Sequence, residues 1–188
     1  MDIGVLALQG AFERHAHVLE RLGQRPVFVR KPEQLDALAG LILPGGESSV
    51  QLDLIARAGL EPALRAFAAS GRPILGTCAG LILLARQVRN PEQASFGLLD
   101  VSVARNAYGR QIHSFEAQAD EQELPLVFIR APRILELGAQ VEVLARHGGE
   151  AVLVRQHNIL GATFHPELTG DDRVHTWFTS AVRPAQFR

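Results

Sequence analysis

The sequence predicts an α/β fold: three layers, with a mainly parallel central sheet and helices on both faces. Short apolar runs bounded by glycine or proline alternate with segments of helical period, which is how strand-helix-strand units read. The chain has 188 residues and is 47% hydrophobic, so it can bury one substantial core and is expected to form a single domain over 1–188. In the middle of the chain an apolar strand turns abruptly into an apolar helix, around Gly76-Thr77-Cys78-Ala79-Gly80.

The first strand is Ile3 to Leu8, ended by Gln9-Gly10. Ala11, His15, Val18 and Leu22 then recur near the helical period, and that helix stops at Gly23. Pro26 to Arg30 reads as a second strand, Glu33 to Ala39 as a short helix, and Leu41 to Leu43 as a third strand closed by Pro44-Gly45-Gly46. Ser48 or Ser49 can cap a helix carrying Leu52, Leu54 and Ile55. Glu61-Pro62 opens the next, which carries Leu64 and Phe67 and ends at Gly71. After the strand and helix around Cys78 the second half is strand-rich: 98–104, 126–129, 141–145, 151–154 and 160–164. A closing helix from Asp171 to Val182 places Val174, Trp177, Phe178 and Ala181 on one face.

Composition excludes several classes of function. Nineteen Lys plus Arg against twenty Asp plus Glu leave a formal net charge of -1, so there is no broad basic surface for nucleic acid. The N-terminus lacks the basic region of a signal peptide, and no apolar run approaches the roughly 18 residues of a membrane span. One cysteine cannot form an internal disulfide or a multi-thiolate zinc site, and it fits a reducing compartment, pointing to the cytoplasm. No cofactor or metal is expected.

That cysteine, Cys78, has glycines two positions either side, the form of a nucleophile elbow. The glycines remove the Cβ atoms that would clash as a strand folds sharply back into a helix. A sulfur at a helix N-terminus is favoured as thiolate, and the Ala79 N–H can face a developing oxyanion. A lone cysteine in an apolar strand is more often inert, but the flanking glycines reverse that preference.

A cysteine nucleophile needs a base. Of the seven histidines, six have ordinary surface or strand contexts, whereas His165 follows an apolar strand end and belongs to His165-Pro166-Glu167. In extended chain, residues i and i+2 point to one side, so Glu167 can orient the imidazole. Alone this triplet equally describes a solvated turn, and its weight comes from Cys78. Pro44-Gly45-Gly46-Glu47-Ser48-Ser49 is either a tight turn capping the next helix, a second oxyanion donor near Gly46, or both.

These residues match a known family. Gly4 to Gly10, Leu43 to Ser49, Gly76 to Leu81, Gly109-Arg110-Gln111, Ser114 to Ala117, Phe128 to Pro132 and Phe164 to Thr169 together resemble the class I (triad) glutamine amidotransferases. Within them the closest resemblance is to the glutaminase subunits of pyridoxal 5′-phosphate synthases. The resemblance implies a flavodoxin-like fold and a catalytic triad of Cys78, His165 and Glu167, with Gly46 and Ala79 as the oxyanion hole. L-Glutamine would be held by Gly46, Glu47, Ser48, Arg105, Ile129 and Arg130. An arginine suits its α-carboxylate and an acidic side chain its ammonium, although from sequence alone a surface ion pair is the better expectation for Arg105 or Arg130. The implied partner is a barrel-shaped synthase subunit, in a hetero-oligomeric complex, that builds pyridoxal phosphate from a pentose phosphate and a triose phosphate.

The chain departs from the family at Ser49, where threonine is commoner, in a short connection from Asp120 to Pro125, and at His113, which has no functional reading. Two alternatives stand beside the main reading. One is a glutaminase serving a different synthase, such as that for imidazole glycerol phosphate. The other is a catalytically silent regulatory subunit, against which the intact Cys78, His165 and Glu167 argue.

Overall fold

The computed structural model describes residues 1–105 and 114–182. Gly109, Arg110, Gln111 and His113 lie outside them. The chain starts β1 (Asp2–Leu6), α1 (Phe12–Arg21), β2 (Arg25–Val29), β3 (Gly40–Leu43), α2 (Ser48–Arg57), α3 (Glu61–Ala69), β4 (Ile74–Thr77) and α4 (Ala79–Leu84). It continues β5 (Ala85–Arg89), β6 (Leu99–Ala104), β7 (Ser114–Gln118), β8 (Pro125–Ile129), β9 (Arg133–Leu137), β10 (Glu142–His147), β11 (Glu150–Gln156), β12 (Ile159–Ala162) and α5 (Arg173–Ala181).

The central sheet has seven strands in the order β10-β11-β12-β4-β3-β1-β2. Strands β12, β4, β3, β1 and β2 run parallel, and β10 and β11 complete one edge antiparallel. Strand period two divides the core. Leu41, Leu43 and Ile74 point to one face, where they pack with Ile55 of α2, Leu64 and Phe67 of α3 and the apolar run of α4. Ile42 and Leu75 point to the other, with Leu19 of α1 and Val174 and Phe178 of α5. Both faces are therefore buried, and the central strands read as continuous apolar runs.

Several elements differ from the sequence expectation. Glu33 to Ala39 yields only a 3₁₀ turn over Pro32–Leu35. The N-cap of α2 is Glu47, not Ser48 or Ser49: its carboxylate accepts from the Val50 N–H at 2.9 Å. Helix α4, whose end the sequence left open, stops at Leu84, and Ala85 onward leaves as β5, which joins β6 and β9 in a small separate sheet. The hairpin β7–β8 stands apart as a second. In α5 the buried face carries Val174, His175 and Phe178, while Ala181 is exposed. None of the helices among the described residues is long and apolar enough to cross a membrane.

Candidate active site

Three neighbouring parallel strands bring the predicted residues together at their C-terminal ends. Register pairs Thr77 of β4 with Ala162 of β12, and Gly76 with Leu43 of β3. Cys78 is one residue past β4, His165 three past β12, and Gly45-Gly46 just past β3, so all three segments emerge on one edge. Backbone bonds hold that edge, from the Cys78 N–H to the Ala162 carbonyl at 2.9 Å and from the His165 N–H to the Val127 carbonyl of β8 at 2.8 Å.

The elbow is sterically defined. Cys78 has φ 48° and ψ -102°, a left-handed conformation that costs a non-glycine residue of order 1–3 kcal/mol. Its flanking glycines are needed: a Cβ on Gly80 would meet the Leu43 carbonyl oxygen at 1.9 Å, and one on Gly76 would meet Leu84 at 2.5 Å. The Ala79 N–H is the first of α4, where helix amides lack partners.

Glu167 sits in a 3₁₀ turn over Pro166–Leu168, buried behind His165, and its Oε1 lies 2.7 Å from His165 Nδ1. Nε2 is thus the ring nitrogen left free to serve Cys78, whose Sγ lies 3.9 Å from the Ile129 carbonyl. Burial pushes His165 toward the neutral form, but the bonds and negative charge of Cys78 and Glu167 outweigh it and raise its pKa to about 10. Burial likewise opposes ionisation of Glu167, yet the facing histidines hold its pKa down at about 2.

A cavity of about 270 Å³ opens over the sulfur. Gly46, Glu47, Ser48, Arg105, Ile129 and Arg130 all line it with Cys78 and His165, so every residue expected around glutamine is on its wall. Ala79 and Glu167 support the wall from behind. Arg105 and Glu47 are ion-paired at 2.8 Å, the surface-type pairing expected for Arg105 but placed at the cavity mouth. Arg130 has φ 45°, a second left-handed residue on the wall. A cavity of about 320 Å³ beside Leu144, Arg155 and Trp177 contains no member of the triad.

The SNO glutamine amidotransferase family matches residues 5–183. The chain belongs to that family. A relative from Koribacter versatilis, named pyridoxal 5′-phosphate synthase subunit PdxT, is 57% identical, covering 97% of this chain and 96% of its own. One of the same name from Pelotomaculum thermopropionicum is 51% identical over 99% and 98%. A solved structure described as a glutamine amidotransferase superposes with a TM-score of 0.89 at 46% identity, covering 96% of this chain and 98% of its own. Its likeness extends to the α/β architecture and the mainly parallel sheet.

Sequence reasoning missed four features of this family member's site. Gln9 lines the cavity and accepts the Glu47 N–H on its side-chain oxygen at 2.9 Å. Gln51 is fully buried and donates to the Gln9 carbonyl at 3.0 Å and the Pro44 carbonyl at 3.2 Å, tying the β1 and β3 loops together. His15 and His175 were expected in ordinary surface or strand contexts, but both are helical and have no exposed surface: His15 lies against Glu167, and His175 against His15. The signal for His15 was its place on the apolar period of α1 beside Val18, a position that a hydrated histidine would not occupy.

Proposed function

We propose that residues 1–188 form one glutamine amidotransferase domain, the glutaminase subunit of a pyridoxal 5′-phosphate synthase, which hydrolyses L-glutamine to L-glutamate and ammonia. The observation that carries this reading is the meeting of Cys78, His165 and Glu167 at one sheet edge in a chain matched nearly end to end by relatives of that name.

In this reading glutamine enters with its α-carboxylate toward Arg105 and its ammonium toward Glu47, whose opposite charges suit a zwitterion. The Cys78 sulfur attacks the side-chain amide carbon. The resulting oxyanion is met by the Ala79 N–H and a Gly46 N–H, donors aimed where charge develops. His165 Nε2 gives its proton to the departing nitrogen, the C–N bond breaks, and ammonia leaves a glutamyl thioester. His165, now neutral, takes a proton from water, which adds to the thioester carbon. The thiolate is expelled and glutamate is released. Glu167 holds the ring with Nε2 toward the sulfur throughout. The ammonia passes to the barrel-shaped synthase subunit with which this chain assembles.

The test is glutamine hydrolysis by the purified chain with and without a pyridoxal 5′-phosphate synthase barrel subunit. Glutamate and ammonia in equal amounts, abolished by Cys78→Ala, are expected. No turnover in either condition would overturn the reading.

A further inference from the structure

Behind the triad lies a line of buried polar groups that glutamine hydrolysis as described does not use. His15 of α1 and His175 of α5 have no exposed surface, and neither does Thr77 of β4. His15 Nδ1 is 2.9 Å from His175 Nε2. His15 Nε2 is 3.2 Å from Thr77 Oγ1 and 3.4 Å from Glu167 Oε2, the carboxylate oxygen that His165 leaves unused. Among the described residues that buried oxygen takes part in no hydrogen bond, and His15 Nε2 is the nitrogen at ion-pair range of it.

We propose that His15 is a positioning residue for the triad: a neutral imidazole, held in its Nε2–H tautomer by His175, that directs this N–H at Glu167 and keeps the carboxylate aimed at His165. The inference rests on the glutaminase reading of Cys78, His165 and Glu167.

The tautomers follow from hydrogen-bond accounting across four elements. His175 Nδ1 is buried without a hydrogen-bond partner among the described residues. An unpaired lone pair there is tolerable, whereas an unpaired N–H is the costlier and rarer condition, so the hydrogen of His175 belongs on Nε2. His175 then donates to His15 Nδ1, which must be an acceptor, and the hydrogen of His15 moves to Nε2. The opposite assignment would set the Nε2 lone pair against a carboxylate at 3.4 Å, an electrostatically unfavourable contact. Burial also lowers the pKa of both rings, His175 to about 3, which keeps them neutral. The charged groups facing them are Glu167 and His165 at His15, and Glu167 and Arg21 at His175.

The consequence is mechanical. A carboxylate on a short 3₁₀ turn with one hydrogen-bonded oxygen can rotate about its terminal bonds, and an N–H attracting the second oxygen from 3.4 Å opposes that rotation. His165 then keeps Nε2 on the sulfur through both halves of the reaction.

His15→Leu, His15→Gln and wild type are compared in complex with the synthase subunit. Leucine fills the space without an N–H, whereas glutamine carries an amide N–H on a side chain of similar reach. His15→Leu is expected to lower kcat by about ten- to a hundredfold with little change in KM. That is the scale on which outer partners of metal-bound histidines act. It should also move the alkaline limb of kcat/KM to lower pH, because a loosely held Glu167 stabilises the His165 imidazolium less. His15→Gln should recover most of both. Wild-type kcat and pH profile in His15→Leu would overturn the inference, as would an equal loss in His15→Gln.

Should His15→Leu fail to fold, ring-nitrogen NMR of the wild-type chain still decides. Neutral His15 protonated on Nε2 is expected near pH 7, and a cationic or Nδ1-protonated ring would overturn the proposal. A wild-type complex that releases no ammonia would instead defeat the glutaminase reading, and the spectrum would remain a separate measurement.

Discussion

Glu47 and Arg105 face each other at 2.8 Å across the mouth of the cavity that holds Cys78, although they are 58 residues apart in sequence. The Glu47 carboxylate is also the N-cap of α2, so its position is set by the helix it starts. Burial works against its charge, but bonds from Ser49 and Val50 and the nearby Arg105 hold its pKa low. Arg105 brings the positive charge of the pair and is the more buried side chain. Arg105→Ala is therefore expected to raise KM for glutamine by about ten- to a hundredfold, the scale of a charged hydrogen bond, with a smaller effect on kcat. The check is a kinetic series with glutamine and with an analogue lacking the α-carboxylate. Equal losses for mutant and wild type on going to the analogue would mean that Arg105 does not touch that group.

The triad variants should fall in an order. Cys78→Ala removes the nucleophile and is expected to abolish ammonia release while leaving the fold intact. His165→Asn removes both acid and base, each worth about a hundred- to ten-thousandfold. Glu167→Gln keeps a group of the same shape beside Nδ1 and should cost less than either. Equal losses at all three positions, measured as single-turnover rates, would give Glu167 a more direct role than orientation.

Gly45 offers a test of how the His165 ring is placed. A Cβ there would meet His165 Cε1 at 2.3 Å and Nδ1 at 2.9 Å. The ring is a side chain that can swing aside, so Gly45→Ala should displace it from Cys78 and Glu167. A fall of at least a hundredfold in kcat is expected from the lost acid-base step, with a lower Tm because the buried Glu167 loses its partner. Gly80→Ala meets the Leu43 backbone instead, at 1.9 Å, and should lower Tm further because backbone cannot swing aside. Gly45→Ala with wild-type kcat would show that the ring tolerates the methyl group in place.

Much of this site was legible in the sequence because its parts are local. The glycines around Cys78, the i and i+2 spacing of His165 and Glu167, and the Gly45-Gly46 turn each declare themselves within a few residues. The parallel pairing of β3 with β4 then follows from the alternation of strands and helices, whereas β12 reaches β4 by way of the antiparallel β11. What was not legible depends on distant partners. Only the packing of α1 against α5 turns His15 and His175 into a buried pair. Glu47 outcompetes Ser48 as the cap because Ser48 Oγ donates to Gln93 at 3.0 Å instead. The end of the helix after Cys78 was not legible either, and it gives way to β5, where Ala85 and Val88 are buried beside β6.

Stability should peak near pH 6.5. Folding lowers the pKa of His15 and His175, through burial, from an ordinary value of 6.5. Below that value the unfolded chain binds protons at these rings that the fold refuses, so stability is lost as the pH falls. Glu167, held at about 2 against an ordinary 4.5, adds a further loss in the same direction below 4.5. His165 works in the other direction. Raised to about 10, it keeps in the folded state a proton that the unfolded chain gives up above 6.5, so its contribution is lost as the pH rises toward 10. Tm measured across this range should therefore decline on both sides. A Tm that rises steadily from neutral to about pH 5 would contradict the buried neutral histidines.

The last expectation concerns dependence on the synthase subunit. A subunit that only supplies ammonia loses it to solvent unless hydrolysis is tied to docking, and the Gly45–Gly46 peptide is placed to make that link. Its carbonyl accepts the Ala11 N–H at 2.9 Å, so its own N–H points the opposite way in the same plane. Neither residue has a Cβ to oppose rotation, and turning the peptide over exchanges a donor for an acceptor beside the developing oxyanion. The rotation is coupled to its surroundings. Ala11 leads into α1, and Gln51 and Gln9 fasten the same loop from both sides. Contacts that shift the start of α1 or the turn at 44–49 would bias the peptide. Losing one oxyanion donor typically costs about a hundred- to a thousandfold in kcat, so docking need bias the two orientations by only about 3–4 kcal/mol. The chain alone is therefore expected to hydrolyse glutamine slowly, and saturating synthase subunit to raise kcat by about that factor. Full activity of the isolated chain, unchanged by its partner, would refute the switch and leave the triad as assigned.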